Sequence, residues 1–361
     1  MKKLVINTEA MRPVLKKLSQ AINPKPVIPS LSNLYLRARE GEVELITSDQ
    51  ELTISYVLPC ECKQEFEMLI PFGFISDLIG LLGNQPIEIQ QHPGNKGVII
   101  AEGESHQLGL EKVKDYPAIP DAPVKNKMEL DKEFMEWLQM AMATVGKDDL
   151  RPAMTQALLE LGKEGVTIVS TDSHSLFRRF FKKTFEGNAE DILISPRVAK
   201  AVHGFEKATL SWRQNHIALA ADKITVIATR LDAKFPHYRS VIPNSNPTLE
   251  LNREDLMVAL SKACLFNKRQ VAFQFPAGVT DKFNVAATDA DMERFSEVTV
   301  QGKYTGKTDN IAFSPLLFKT ILTDLPFDVI RLHIDGPKRG VVITAEDQPD
   351  YLGMIMPLIN N

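Results

Sequence analysis

The residues best suited to chemistry are two closely spaced carboxylates, Asp289 and Asp291, and two cysteines, Cys60 and Cys62. Paired carboxylates hold the metal ions of nucleotidyl-transfer enzymes, and thiolates bind zinc. The cysteine pair has no second pair of ligands, so a zinc site is not predicted. The seven histidines contain no His-x-x-x-His pair, and no serine or cysteine lies in a nucleophile elbow. A nucleic-acid enzyme that uses Asp289 and Asp291 on a bound metal remains an alternative.

The surroundings of Asp289 recur along the chain, which favours a structural role for this carboxylate. An aspartate follows a strand-like segment at Asp49, Asp172 and Asp289, at spacings of 123 and 117 residues. Two further landmarks keep the same order and period: an amphipathic helix and a proline that opens a second helix. They are the helices 8–22, 131–145 and 252–266, and Pro71, Pro196 and Pro315. A residue that recurs in every unit is expected to serve the fold, here by accepting backbone N–H bonds in a turn.

Three tandem domains of about 120 residues account for these landmarks. We predict domains at 1–123, 124–246 and 247–361, because the intervening stretches are rich in proline, asparagine and lysine, as linkers are. Each domain is interpreted as two successive halves, each a strand, a helix and then further strands. This pattern predicts an α+β fold with antiparallel sheets and two helices per domain, and therefore six helices in the chain.

Composition and charge limit the possible functions. The chain has 361 residues, of which 44% are hydrophobic and 24% charged, and its net charge is −4. The predicted domains carry net charges of −4, +3 and −3. An acidic protein is not expected to grip nucleic acid with most of its surface, although the middle domain leaves room for a local basic surface. Three cysteines and an N-terminus without an apolar signal segment predict a reducing cytoplasm.

The combined pattern resembles the bacterial DNA polymerase III beta subunits, which are sliding clamps. The resemblance covers essentially the whole chain and rests on the three tandem units, on Thr171 to Leu176, on Phe235-Pro236, and on Met354 to Leu358 near the end. The family usually has Thr-Asp-Gly-His-Arg-Leu at the first of these motifs, so Ser173 and Ser175 are departures. The chain end also departs from the usual Met-Pro-Met-Arg-Leu.

This resemblance implies a function without bond chemistry, and no catalytic residue, metal or cofactor is expected. Two chains would join head to tail into a ring of six clamp domains, with sheets outside and helices inside. The ring would encircle duplex DNA irrespective of sequence and tether the replicative polymerase. The clamp loader and other proteins with a short clamp-binding peptide are the further partners implied. A monomeric three-domain scaffold that binds proteins without DNA is the second alternative.

The resemblance also implies three sets of site residues. The partner-peptide cleft would contain Met154, Thr171, His174, Leu176, Pro236, Val241, Met354, Ile355, Met356, Pro357 and Leu358. The DNA-facing residues would be Lys25, Arg151, Arg197 and Lys200, and the dimer seam would include Leu108, Leu265 and Phe266. Flexible sulfur-containing side chains suit a surface that accepts several partners. The alternative for the terminal run is a last core strand stopped by Pro357.

Overall fold

The computed structural model describes residues 2–289 and 292–359. Within these residues the chain forms six α-helices, as predicted, two in each proposed repeat. They are α1 (Thr8–Leu18), α2 (Phe72–Leu81), α3 (Lys132–Ala141), α4 (Pro196–Ala201), α5 (Arg253–Ala263) and α6 (Pro315–Leu322). None of the helices in the described ranges is long and apolar enough to cross a membrane.

The strands make up most of the remaining regular structure. The first repeat contains β1 (Lys2–Asn7), β2 (Asn33–Arg39), β3 (Glu42–Ser48), β4 (Leu52–Pro59), β5 (Glu61–Cys62), β6 (Phe66–Pro71), β7 (Pro86–His92), β8 (Lys96–Ala101) and β9 (Glu104–Gly109). The second contains β10 (Asn126–Asp131), β11 (Ala157–Gly162), β12 (Gly165–Thr171), β13 (Ser175–Phe181), β14 (Asp191–Ile194), β15 (Lys207–Trp212), β16 (His216–Ala221) and β17 (Ile224–Thr229). The third contains β18 (Leu249–Asn252), β19 (Val271–Gln274), β20 (Lys282–Asp289), β21 (Arg294–Tyr304), β22 (Asn310–Phe313), β23 (Val329–His333), β24 (Val341–Ala345) and β25 (Gln348–Ile355).

The described residues divide into two compact units. The first comprises residues 2–135, 185–188 and 200–230. It holds a five-stranded sheet in the order β5-β1-β7-β8-β9 and an eight-stranded sheet in the order β10-β15-β16-β17-β4-β3-β2-β6. All strand pairings among the described residues of these sheets are antiparallel, as the sequence predicts.

The second unit comprises residues 136–184, 189–199 and 231–359. Its single sheet has twelve strands in the order β14-β11-β12-β13-β25-β24-β23-β18-β21-β20-β19-β22. The two units do not follow the predicted domain limits, because strands of the middle repeat pair with strands of the first repeat in one unit and of the third repeat in the other. The boundaries at 123 and 246 therefore stay a prediction.

The helices begin where the sequence predicts, because a polar side chain caps most of their first turns. Asn7 Oδ1 accepts the Glu9 amide at 2.8 Å, and Asn252 Oδ1 accepts the Glu254 amide at 2.8 Å. Asp131 Oδ1 accepts the Phe134 amide at 3.0 Å. Such bonds satisfy amides that have no partner inside the helix. The predicted helix 131–145 is shorter in the structure, since α3 ends at Ala141 and a 3₁₀ turn follows at Met142–Thr144.

The recurring aspartate caps a turn in all three repeats, which confirms its predicted structural role. Asp49 Oδ1 accepts the Leu52 amide at 2.9 Å, Asp172 Oδ1 accepts the Ser175 amide at 2.6 Å, and Asp289 Oδ1 accepts the Met292 amide at 3.2 Å. Gln50 and Ser173, which follow the first two aspartates, have left-handed backbone with φ of 76° and 78°. Glycine adopts this conformation without steric cost, which explains the glycine that the family pattern has at the position of Ser173.

Equivalent strands close the two repeat boundaries. The last strand of the second repeat, β17, pairs with β4 and sets Ile227 opposite Thr53. The last strand of the third repeat, β25, pairs with β13 and sets Met354 opposite Leu176. Thr53 and Leu176 are themselves equivalent, because each lies opposite the residue that precedes the capping aspartate. At both boundaries, the last strand of one repeat therefore pairs with the equivalent strand of the repeat before it, in the equivalent register.

In the third repeat, the strand equivalent to β4 and β13 is β21, and most of its second edge has no partner strand among the described residues. In β21, residues 294–301 pair with β20, and only residues 302–304 pair with β18 on the other side. Within the described residues, the second edge of 294–301 has no strand beside it. The outer edge of β9, the last strand of the first repeat, is likewise unpaired in the described chain.

Candidate functional site

An apolar cluster in the second unit surrounds the pairing of β13 with β25. We call it the β13–β25 cluster. Its buried members are Ala153, Leu158, Val169, Leu176, Leu193, Phe235, Tyr238, Val342 and Met354, and Leu231, Ala233, Ile242, Leu352 and Met356 pack against it partly buried. Three of the residues predicted for the partner-peptide cleft, Leu176, Met354 and Met356, therefore lie together in one cluster.

The end of the chain forms both a core strand and an extended segment beyond it. Strand β25 ends at Ile355, whose side chain is fully buried and which pairs with Ser175. Neighbouring residues of a strand point to opposite faces of the sheet, so Ile355 does not share the face of Met354 and is not in the cluster. After the strand, the Met356 amide donates to the His174 carbonyl at 2.7 Å, and the Leu358 amide donates to the Ala312 carbonyl at 2.8 Å. The core-strand interpretation therefore fits Met354 and Ile355, whereas Met356 and Leu358 lie outside the strand.

The Asp172 turn borders the cluster and contains two more predicted residues. Thr171 Oγ1 donates to the Ser175 carbonyl at 2.7 Å, and His174 is exposed. Met154 is half-buried, and its Sδ lies 4.0 Å from the Ser173 hydroxyl. These contacts attach the segment that carries Met154 to the turn.

The segment 235–242 forms another side of the cluster, and we call it the wall segment. Phe235 and Tyr238 are buried members of the cluster and meet edge to face, with ring centroids 6.5 Å apart. Pro236 is exposed, and Val241 has 57% of its surface accessible. A 3₁₀ turn spans Tyr238–Val241. The wall segment therefore anchors itself with aromatic rings and presents Pro236 and Val241 to solvent.

Sequence reasoning did not assign several members of the cluster. Leu158 lies on β11, Val169 on β12, Leu193 on β14 and Val342 on β24. Their apolar character predicts only buried strand positions, because any strand of a sheet core has the same pattern. Phe235-Pro236 has a counterpart in Tyr116-Pro117 of the first repeat, and Tyr116 is also buried in an apolar cluster, so this repeated aromatic-proline pair is a sequence signal for Phe235.

The four residues predicted to face DNA are all exposed. Lys25 and Lys200 belong to the first unit, and Arg151 and Arg197 belong to the second. Arg151 is engaged locally, because its Nη1 donates to the Ser173 hydroxyl at 2.7 Å. Exposure is necessary for contact with phosphates and does not by itself distinguish these residues from other surface cations.

The residues predicted for the dimer seam lie near the ends of elements. Leu108 is half-buried on the edge strand β9. Leu265 has 78% of its surface accessible, and Phe266 is half-buried; both follow the end of α5. An unpaired strand edge and an exposed leucine are each features that soluble proteins usually cover.

No metal site supports the carboxylate alternative in the described ranges. There, no group of three or more His, Cys, Asp or Glu residues is arranged to hold a metal ion. Asp289 caps its turn, and Asp291 lies outside the described residues.

The chain is similar to known proteins over its full length. A sequence profile described as "DNA polymerase III beta subunit, N-terminal domain" matches residues 2–120. The beta sliding clamp of Chlamydia pneumoniae is 24% identical over 99% of this chain and 98% of its own length, and that of Bacillus subtilis is 20% identical over 97% and 96%. The crystal structure of the Bacillus subtilis DNA polymerase sliding clamp superposes with a TM-score of 0.92, at 17% identity and with both chains fully covered. The chain is therefore similar to beta sliding clamps over its full length and has their fold.

The structural likeness over the full length confirms the predicted α+β clamp fold. Its full-length relatives are beta sliding clamps, in agreement with the prediction of a non-catalytic subunit rather than a carboxylate enzyme.

Proposed function

We propose that two copies of this clamp close head to tail into a ring around duplex DNA. The proposal rests on the strand pairing between repeats, in which β17 pairs with β4 and β25 pairs with β13. The edge of β21 corresponds to the paired edges of β4 and β13, and β9 corresponds to β17 and β25. Because each copy has one open edge of each kind, two copies can satisfy both edges of each other. A head-to-tail contact of this kind makes a closed assembly when the rotation completes a ring.

The equivalent pairs also predict the register of the seam. Phe295 lies opposite Thr288, just as Leu176 lies opposite Thr171 and Thr53 lies opposite Ser48. The hairpins β8–β9 and β16–β17 have matching two-residue turns, which makes Gln107 equivalent to Ile227. Thr53 pairs with Ile227, and Phe295 and Gln107 are their equivalents. We therefore expect Phe295 to lie opposite Gln107 of the partner subunit. Its accessible surface of 59% in the single chain fits a residue that a second copy covers.

The ring holds DNA by topology and needs only weak direct contacts. Lys25, Arg151, Arg197 and Lys200 supply positive charge for the phosphates, and no base contact is required. Direct phosphate contacts weaken steeply with salt, because binding releases counterions from the DNA. A closed ring on a closed circle cannot dissociate in this way without opening.

A retention experiment tests the topological mechanism. The clamp is loaded onto nicked circular DNA, or mixed with a short linear duplex, and then passed through a sizing column at increasing salt. We expect the circle to retain the protein at salt concentrations that strip it from the linear duplex. Equal loss from both DNAs would exclude the ring, and a mass of one chain in sedimentation would favour the monomeric scaffold.

The β13–β25 cluster is proposed as the cleft for short peptides of the polymerase, the clamp loader and other DNA-processing partners. The proposal is supported by a buried apolar floor that contains Leu176 and Met354, with the partly buried Met356 packed against it and the exposed Val241 in the wall segment beside it. Methionine at the border adapts to different side chains, which suits a site with several partners. The proposed occupants are proteins of the reducing cytoplasm.

Truncation tests the cleft without damaging the sheet. Deleting residues 354–361 would remove paired residues of β25, so the deletion should begin at Met356. We expect the variant that lacks 356–361 to lose binding of a fluorescent peptide from the polymerase tail while its mass in solution stays that of the wild type. Unchanged peptide affinity would refute the cleft.

A further inference from the structure

The wall segment is attached to the sheet through one carboxylate, Glu160 of β11. Glu160 Oε1 accepts a hydrogen bond from Arg239 Nη1 at 2.7 Å, and its Oε2 accepts bonds from Arg239 Nη2 at 2.6 Å and from the Tyr238 hydroxyl at 2.7 Å. The guanidinium also lies over the Tyr238 ring, 4.8 Å from its centroid. Two successive residues of the wall segment therefore converge on a single side chain that lies far away in the sequence.

The carboxylate is held in its charged form. Burial by itself would raise the pKa of Glu160, but the hydrogen bonds from Arg239 and Tyr238 outweigh this effect and leave the pKa below its ordinary value. A fork-shaped pair between arginine and carboxylate fixes geometry as well as adding energy. Asp191 lies directly opposite Glu160 on β14, and Arg178 adds a second positive charge near the carboxylate. The local charges are thus balanced around Glu160.

Apart from its two buried aromatic rings, its other packing against the cluster and the bonds to Glu160, the described contacts of the wall segment are short-range. Its 3₁₀ turn has no side-chain cap, and its backbone bonds are short-range, from the Tyr238 amide to the Pro236 carbonyl and from the Ser240 amide to the His237 carbonyl. Tyr238 and Phe235 pack into the cluster, and Val241 extends into solvent. The bonds to Glu160 thus set the rotation of the turn, and this rotation sets where Val241 points.

We infer that Glu160 is a positioning residue for peptide binding, which it serves by fixing the turn that presents Val241. The inference rests on the proposed function of the β13–β25 cluster as a peptide cleft. Glu160 itself does not touch the peptide. A wall that is already ordered loses less conformational freedom when the peptide binds, so the affinity depends on the carboxylate.

Glu160→Gln tests this role, because the amide keeps the volume of the side chain and loses the charge and the forked pair. The measurement is the affinity of the fluorescent polymerase-tail peptide, by fluorescence anisotropy. We expect affinity to fall about tenfold, or about 1.4 kcal/mol. Hydrogen exchange at the amides of 238–241 should accelerate, whereas exchange in β12 and β13 should not change. A merely structural role would alter exchange and melting temperature without altering peptide affinity.

Two further variants test whether the effect depends on the opposite charges of Glu160 and Arg239, and whether it is specific to this ion pair. The double exchange Glu160→Arg with Arg239→Glu restores the opposite charges across the same gap, and it should recover most of the affinity lost in Glu160→Arg alone. Glu250→Gln is the matched control, because Glu250 also pairs with an arginine of the same unit, Arg331, with Nε 2.9 Å from Oε2. This control should bind the peptide as the wild type does.

The outcomes distinguish this inference from the proposed function. If the wild type binds the peptide, loss of residues 356–361 abolishes binding and Glu160→Gln binds normally, Glu160 has no positioning role and the cleft stands. If neither the truncation nor Glu160→Gln changes binding, the peptide binds elsewhere, and both the cleft and the role of Glu160 are overturned.

Discussion

Leu176 and Met354 lie directly opposite each other where β13 pairs with β25, and both side chains are buried in one apolar cluster. One belongs to the middle repeat and the other to the last strand of the third. The same strand pairing that joins two repeats therefore also builds the floor of the proposed peptide cleft. Because the exposed residues at its border contribute little to folding, they are the best positions for testing binding separately from stability.

Val241→Asp should weaken binding of the polymerase-tail peptide about tenfold or more, because it sets a charge against an apolar ligand at the border of the cleft. The melting temperature should stay close to that of the wild type, since Val241 is 57% accessible. Val329→Asp is the matched control: this valine is 49% accessible and lies on β23 of the same unit. Fluorescence anisotropy and thermal melting of both variants are the measurements. Equal affinity of the two variants would contradict the role of Val241.

Ser173→Gly should raise the free energy of unfolding by about 0.5–1 kcal/mol, because glycine adopts the left-handed backbone of this turn without the clash of a side chain. The loss of the bond between the Ser173 hydroxyl and Arg151 opposes this gain only weakly, since both groups are near solvent. Urea unfolding measures the change. Gln50→Gly at the equivalent turn of the first repeat should change stability in the same direction. A loss of stability in both variants would disprove the backbone argument.

A cysteine pair at Phe295 and Gln107 should form disulfide-linked dimers on mild oxidation, provided that Cys60, Cys62 and Cys264 are first replaced. Residues directly opposite each other in antiparallel strands have Cα atoms about 4.5–5.5 Å apart, which suits a disulfide. Non-reducing electrophoresis detects the product. The pair Phe295→Cys with Glu104→Cys is the out-of-register control and should link poorly. Preferential linkage of this control would show that the proposed register is wrong.

The stability of the clamp should fall as the pH decreases from about 7 to 5, in part because of His333. Burial lowers the pKa of His333, whose Nδ1 lies 2.6 Å from the Ser245 carbonyl and whose Nε2 lies 2.9 Å from the Thr344 hydroxyl. A lowered pKa means that the unfolded chain binds the proton first. The stabilisation is therefore complete above the ordinary histidine pKa and is lost as the pH falls towards the folded value. Urea unfolding of His333→Gln across this range should give a flatter profile, and an unchanged slope would contradict the assignment.

Local signals in the sequence predicted most of the secondary structure. The predicted helix 252–266 is present as α5, and its first turn is capped by Asn252. The helix ends were less accurate. The helix predicted to Phe266 ends at Ala263, because the amides of Leu265 and Phe266 bond to carbonyls three residues back, as in a turn, instead of four.

The amino-acid sequence by itself determined the threefold repeat, the antiparallel α+β architecture and the structural role of Asp49, Asp172 and Asp289, because each depends on neighbouring residues and on a period that can be counted. Only the tertiary structure decided which strands meet across the repeats. It brought Leu176 opposite Met354, buried Ile355 on the other face, and joined Glu160 to Tyr238 and Arg239. Contacts between distant segments depend on the pairing register and on the packing of whole sheets, and no local pattern specifies them.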